Sequence, residues 1–164
     1  MATVHEFLEA NRTYAATFDK GNLPLPPARK VVVLTCMDAR IDPARALGLK
    51  EGDAHVIRNA GGRASEAVRS IVISEQLLGT TEVVVIHHTD CGMLTFSNKQ
   101  LREKLRRDLS DPGELDFLPF SDLEQSVRDD VSLLRGSPLI PKNVALSGFV
   151  YDVKSGKLLP VSGA

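Results

Sequence analysis

The sequence has no marked excess of charge, no long apolar run and only two cysteines. Its 164 residues carry 20 basic and 21 acidic side chains, for a net charge of −1, so no general attraction to nucleic acid or to an acidic membrane is expected. No uninterrupted apolar stretch approaches the roughly 18 residues that span a bilayer, and the polar N-terminus lacks the pattern of a signal peptide. We therefore expect a cytoplasmic protein without a structural disulfide, because disulfides are rare in that reducing compartment.

Short β-branched runs alternate along the chain with segments of helical periodicity, which is typical of an α/β fold. We predict a mostly parallel central sheet of about four strands, with a further edge strand at the C-terminus, flanked by helices. The length suits one domain, residues 1–164, in which residues 1–27 form an N-terminal helix and a proline-rich connector. The predicted strands are residues 30–35, 54–57, 82–87, 143–151 and 158–161, and the longer predicted helices are residues 3–16, 64–78, 97–109 and 121–136.

Both cysteines lie where a predicted strand ends. Cys36 directly follows the first strand, and Cys91 lies in the turn after the third strand, three residues beyond His88. Because ligands gather beyond the carboxyl ends of parallel strands, these side chains are expected to meet at one edge of the sheet. Two thiolates and an imidazole are good ligands for Zn²⁺, and three protein ligands leave a fourth position free for chemistry. Buried, inert thiols are the simpler interpretation of two cysteines alone, but their placement favours a zinc site.

A second histidine, His87, precedes His88 and could compete for the same role. Successive residues of a strand point to opposite faces, so only one of the two can face the site. The three-residue spacing to Cys91 favours His88.

Asp38 and Arg40 follow Cys36 at intervals of two residues, so all three can lie on the same side of the chain. A neighbouring guanidinium keeps a carboxylate ionised and oriented, and Asp38 could then accept a hydrogen bond from water at the metal. Alternatively, Asp38 could bind the metal in place of water until Arg40 draws it away. A plain ion pair in a loop is the third interpretation.

Gly61 and Gly62 follow the second predicted strand. Glycine lets the backbone approach a neighbour closely, which suits the wall of a very small pocket, although an ordinary strand-to-helix turn is an equal alternative. The segment is not G-x-G-x-x-G, so a dinucleotide site has no support.

The motif C-x-D-x-R, from Cys36 to Arg40, and the motif H-x-x-C-G, from His88 to Gly92, together resemble the signature of the β-class carbonic anhydrases. The similarity continues through residues 58–62 and covers residues 28–152. It implies a parallel-sheet core, one catalytic zinc ion per subunit, and homodimers or homotetramers. It also implies attack of metal-bound hydroxide on a small linear carbon electrophile, and so the reversible hydration of carbon dioxide to bicarbonate.

The resemblance assigns a role to each motif residue. Zinc would be bound by Cys36, His88 and Cys91, catalysis would be assisted by Asp38 and Arg40, and the substrate pocket would include Gly61, Gly62 and Gly92.

The chain is closest to a short branch of the family that also resembles the carbonyl sulfide hydrolases. Longer plant-type enzymes carry a substrate-side glutamine shortly before the first cysteine, whereas residues 24–30 contain none. Carbon dioxide and carbonyl sulfide are both linear, neutral and similar in size. Hydrolysis of carbonyl sulfide to carbon dioxide and hydrogen sulfide is therefore an alternative activity for the same site.

Two further alternatives need no catalytic zinc. Cys36 could be the nucleophile of a metal-free enzyme, although only three residues separate it from Arg40, too few for the usual anion-binding loop. Zinc could also merely stabilise the fold, but such sites are normally closed by a fourth cysteine or histidine.

Overall fold

Five strands hydrogen-bond into one sheet in the computed structural model, which describes residues 2–164. They are β1 (Val31–Cys36), β2 (Ala54–Asn59), β3 (Glu82–His88), β4 (Ala145–Tyr151) and β5 (Leu158–Pro160). The order across the sheet is β2-β1-β3-β4-β5; the first four strands are parallel, and β5 runs antiparallel to β4. The predicted parallel sheet with a C-terminal edge strand is confirmed.

Five helices connect or precede these strands: α1 (Ala2–Ala16), α2 (Pro43–Leu47), α3 (Ala64–Leu78), α4 (Asn98–Asp108) and α5 (Leu123–Gly136). The four longer helices lie within two residues of their predicted bounds. The predicted start of α5 was early, because Asp122 rather than Ser121 caps it, with the Asp122 carboxylate accepting a hydrogen bond from the Gln125 amide at 2.9 Å. Within residues 2–164, no helix is both long and apolar enough to cross a membrane.

The register of the parallel strands places the ends of β1, β2 and β3 side by side. Thr35 of β1 pairs with Ile86 of β3 on one side and with Arg58 of β2 on the other. β2 extends to Asn59, two residues beyond its predicted end, because its polar last residues continue the pairing as far as Cys36. The turns that follow these three strands therefore share one edge of the sheet.

The main hydrophobic core lies between the sheet and helices α3 and α5. Leu34 and Val85 contribute from the sheet and Val131 from α5, all with no exposed surface. Gly148 of β4 lets α5 approach closely, since a Cβ there would overlap Val127. Tight packing on this face fixes the strands whose ends carry the site.

Residues 2–26, which we call the N-terminal arm, comprise α1 and the connector, and residues 3–26 are all exposed. The arm leaves large apolar side chains in water: Phe7 is 67% exposed and Leu25 81%. Such a stretch does not gain its stability from burial against its own chain.

Candidate active site

Cys36, His88 and Cys91 converge at the shared edge of the sheet. Cys36 is the last residue of β1, His88 the last of β3, and Cys91 follows in the turn. The three potential ligand atoms lie within 4.8 Å of one another, and all three residues are buried. The alternation along β3 directs His87 to the opposite side, towards α5, where its ring contacts Ser126 and Asp130.

The orientation of His88 leaves one ring nitrogen ready to bind a cation. Nδ1 lies 2.9 Å from the carbonyl oxygen of Thr89, which can only accept, so Nδ1 carries a proton, and in the neutral imidazole Nε2 carries the lone pair. Nε2 is buried, and no group among the described residues forms a hydrogen bond with it. A buried acceptor without a donor is costly, and a metal ion beside the two thiols would satisfy it. The residues present therefore fit a zinc ion.

The two thiols shift each other's pKa in opposite directions. Hydrogen bonding with Cys91 lowers the pKa of Cys36, and the pKa of Cys91 is raised in return because it donates to Cys36 and is buried. The Gly61 amide also donates to Cys36 Sγ, at 3.3 Å. A dication between the sulfurs would allow both thiols to ionise.

Asp38 forms an ion pair with Arg40. Arg40 Nε donates to Asp38 Oδ1 at 3.0 Å and Nη2 donates to Oδ2 at 2.8 Å. Hydrogen bonding by Arg40 holds the pKa of Asp38 far below its usual range, so the carboxylate is ionised. Asp38 Oδ2 lies 3.8 Å from His88 Nε2, close to the position that a metal would occupy.

Two residues that sequence reasoning did not assign hold this pair in place. Asp90 accepts from Arg40 Nη1 at 2.7 Å, and its carbonyl oxygen accepts from Nη2 at 2.9 Å. Arg58 donates to the carbonyl oxygens of Cys36, at 3.0 Å, and Asp38, at 2.7 Å. Both lie within the motif segments, but spacing alone gave no indication of these long-range contacts.

A cavity of about 180 Å³ opens at the thiols. Gly61 and Gly92 lie in its wall with Ala60 and Met93, and Asp38 is its one charged lining residue. The predicted pocket residue Gly62 instead lies behind the wall, where a Cβ would come within about 3.0 Å of the β1 backbone at φ +71°. A larger surface cavity of about 490 Å³, lined by α5 and β5 residues such as Arg128, contains none of the candidate site residues.

The fold and these side chains define a class of protein: the chain belongs to the β-carbonic anhydrase family. The family model described as carbonic anhydrase matches residues 31–112. Beta-carbonic anhydrase 1 of Mycobacterium tuberculosis is 40% identical over 163 residues, covering 99% of each chain. Carbon disulfide hydrolase of Saccharolobus solfataricus is 34% identical over 180 residues, covering 94% of this chain and 87% of that protein. The crystal structure of carbonic anhydrase from Streptococcus mutans has a TM-score of 0.94 at 51% identity, covering 99% of both chains.

Proposed function

We propose that this protein is a zinc enzyme that catalyses the reversible hydration of carbon dioxide to bicarbonate. The observation that carries the proposal is the buried Nε2 of His88, which lacks a hydrogen-bond partner and lies beside the thiols of Cys36 and Cys91. The relationship to beta-carbonic anhydrase 1 over nearly the whole chain supports the same activity.

Cys36, His88 and Cys91 would hold the zinc ion in the three-ligand arrangement of catalytic sites. When bound, zinc supplies a Lewis acid that lets water lose a proton near neutral pH. Two thiolates neutralise much of the charge of the ion, so the residues around the water must assist its activation.

Asp38 would provide that assistance. As an ionised carboxylate it can only accept hydrogen bonds, so a water molecule in the cavity would donate to it and present a lone pair to the substrate. Arg40 and, behind it, Asp90 fix the direction of the carboxylate. Under this proposal Asp38 stays paired with Arg40 and does not bind the metal.

The cavity suits a small, neutral, linear substrate. Its walls are mostly apolar, with Ala60, Met93 and two glycines, so such a molecule enters without leaving polar groups unpaired. Placing the electrophilic carbon next to the oriented water makes the reaction effectively intramolecular.

A second candidate is hydrolysis of a sulfur analogue, carbonyl sulfide or carbon disulfide, at the same site. It is favoured by the carbon disulfide hydrolase relatives and by mostly apolar walls that would accommodate a larger, more polarisable sulfur atom. The side-chain types at the site do not separate it from carbon dioxide hydration.

Three substrates measured side by side test both candidates. We expect the purified protein to contain about one zinc ion per chain, to hydrate carbon dioxide in a stopped-flow assay, and to release sulfide from carbonyl sulfide or carbon disulfide more slowly. Cys91→Ser should lose both zinc and turnover, whereas a metal-free enzyme using Cys36 would keep its turnover. Negligible turnover of all three substrates by the zinc-loaded protein would exclude the enzymatic proposal and favour a structural metal.

We further propose that the chain forms one domain and assembles into a cytoplasmic homodimer, or a homotetramer built from dimers. The apolar side chains of the N-terminal arm are exposed in the single chain, and packing them against a second copy would remove them from water. Buried free thiols at the site are compatible with a reducing compartment.

A further inference from the structure

A cluster of polar side chains is buried between α5 and the candidate site. Its members, which we call the Asp130 cluster, are Arg63, His87, Ser126 and Asp130. Asp130 and Ser126 are each 1% exposed and His87 is fully buried. Burial of a carboxylate is unfavourable unless partners compensate it, and apolar side chains could fill the same volume. The cluster is therefore a candidate for a role other than packing.

Both carboxylate oxygens of Asp130 lie close to the Arg63 guanidinium, and Oδ2 also lies close to the His87 ring. Arg63 Nη2 donates to Oδ1 at 3.1 Å, and Arg63 Nε lies 3.0 Å from Oδ2 without the alignment of a hydrogen bond. His87 Nε2 lies 3.1 Å from Oδ2, while its Nδ1 lies 2.7 Å from Ser126 Oγ. The carboxylate thus fixes the guanidinium of Arg63 on the side facing α5.

The guanidinium of Arg63 also contacts a segment, residues 118–120, that packs beside the site. Its Nη1 donates to the carbonyl oxygen of Leu118 at 3.3 Å, and its Cζ lies 5.5 Å from the ring centre of Phe120. Phe120 packs against the Cys36–Cys91 side of the site, and the stacked His87 ring lies 5.4 Å from it.

The backbone of Arg63 closes the loop that contacts Cys36. Its amide donates to Asn59 Oδ1 at 2.6 Å, and Asn59 Nδ2 donates back to its carbonyl oxygen at 2.9 Å. Between these residues, the Gly61 amide donates to Cys36 Sγ and Gly62 packs on the β1 backbone. Arg63 is the last residue of this loop, residues 59–63, and its side chain connects the loop to Asp130.

We propose that Asp130 is a positioning residue for the metal site. It anchors Arg63, and Arg63 holds the 59–63 loop so that the Gly61 amide donates to the Cys36 thiolate and Gly61 forms the cavity wall. The role rests on the proposed function, in that Cys36 is taken as a zinc ligand. Substitution of a residue that orients a metal ligand typically lowers metal affinity or activity by about 10- to 100-fold.

Asp130→Asn tests the proposal, with Asp129→Asn as its matched control one position earlier on α5. Asp129 is exposed and accepts only from Gln125. In Asp130→Asn we expect the Gly61 amide to exchange with deuterium about tenfold faster, zinc to dissociate about tenfold faster, and kcat to fall more than KM rises. Cobalt-substituted Asp130→Asn should also shift its thiolate-to-cobalt absorption band, which a loss of packing alone would not move.

The proposal is overturned if Asp130→Asn matches Asp129→Asn in the Gly61 exchange rate and the cobalt band, however much its thermal stability falls. If Asp130→Asn does not fold, Arg63→Lys decides by the same two readouts, because it keeps the charge but loses the fork that reaches Leu118. Unmoved readouts in Arg63→Lys overturn the proposal. A wild-type protein inactive on all three substrates would refute the proposed function, while amide exchange and the cobalt band would still test the role of Asp130.

Discussion

The edge of the sheet that carries the candidate site and the N-terminal arm differ in how far their side chains contact the rest of the chain. At the site edge, three functional side chains are oriented by partners from their own chain: the Gly61 amide donates to Cys36, His88 Nδ1 donates to the Thr89 carbonyl oxygen, and the Arg40 guanidinium donates to Asp38. Along the arm, every residue from 3 to 26 is exposed, and apolar side chains face water.

The side chains of the candidate site therefore have their contacts within a single chain, whereas the apolar side chains of the arm do not. The side chains of the candidate metal site are positioned by contacts within one chain, whereas the arm leaves apolar surface exposed, and burying it would contribute roughly 25 cal/mol for each Å². Metal content and assembly should therefore respond to different substitutions.

The largest expected effect comes from a matched pair of histidine substitutions, one in each region. His88→Asn should lose nearly all bound zinc and all turnover, because Nε2 would be removed from the ligand set. His5→Asn, on the arm, should keep both. Zinc content by mass spectrometry and stopped-flow hydration check the pair, and zinc retained by His88→Asn would show that the ligand set is wrong.

Substitution of Asp38 should lower activity without removing the metal. Asp38→Asn keeps the shape but loses the ionised acceptor, and we expect turnover to fall by about 10²- to 10⁴-fold at unchanged zinc content. Asp90→Asn, which touches only the far side of Arg40, should have a much smaller effect. Full turnover by Asp38→Asn would refute its role, and loss of zinc would indicate that Asp38 is a ligand.

The arm should control assembly alone. Phe7→Ala removes an exposed ring. If that ring packs on a second copy, the loss is about 1.5–3 kcal/mol per arm, and over the two arms of a homodimer it amounts to roughly 10²- to 10⁴-fold in the dissociation constant. Sedimentation velocity over a dilution series measures this, with zinc content as the second readout. Glu9→Ala, which removes an exposed ion pair with Arg12, serves as the control and should change little. Equal association constants for the two variants would exclude Phe7 from the interface.

The residues that sequence analysis predicted well are those that follow local rules. β-branched runs and strand ends predicted β1 and β3, and the alternation of a strand together with the spacing to Cys91 distinguished His88 from His87. The spacing of Asp38 and Arg40 predicted their proximity, but not the side-chain hydrogen bonds that orient the carboxylate.

The residues that sequence analysis missed make contacts with residues far away in the sequence. Arg58 reaches Cys36, 22 residues away, and Asp130 reaches His87, 43 residues away. Asp130 lies on the buried stripe of α5 between apolar residues, and nothing in a helical pattern says that a distant arginine will meet it. Such contacts depend on the crossover connections that bring α3 and α5 onto the same face.

Glu75, on α3 and outside the candidate site, resembles the arm in one respect: its side chain lacks a partner from the described part of its own chain. Neither of its buried oxygens has a hydrogen-bond partner among the described residues, and burial raises the pKa of Glu75 from 4.5 to about 6. The folded state therefore binds this proton more tightly than the unfolded state. The resulting contribution to the free energy of unfolding is fully present below pH 4.5 and is lost as the pH rises through about 6, by about 2 kcal/mol in total.

Glu75→Gln should remove this pH dependence while keeping the shape of the side chain. The free energy of unfolding of Glu75→Gln, relative to wild type, should rise by about 2 kcal/mol between pH 4.5 and pH 7, whereas Glu51→Gln, at an exposed turn, should follow the wild-type curve. Urea denaturation at a fixed protein concentration measures the difference. Parallel curves for Glu75→Gln and wild type would show that the pKa of Glu75 is not raised. That result is expected if a second copy supplies a hydrogen-bond donor to the carboxylate.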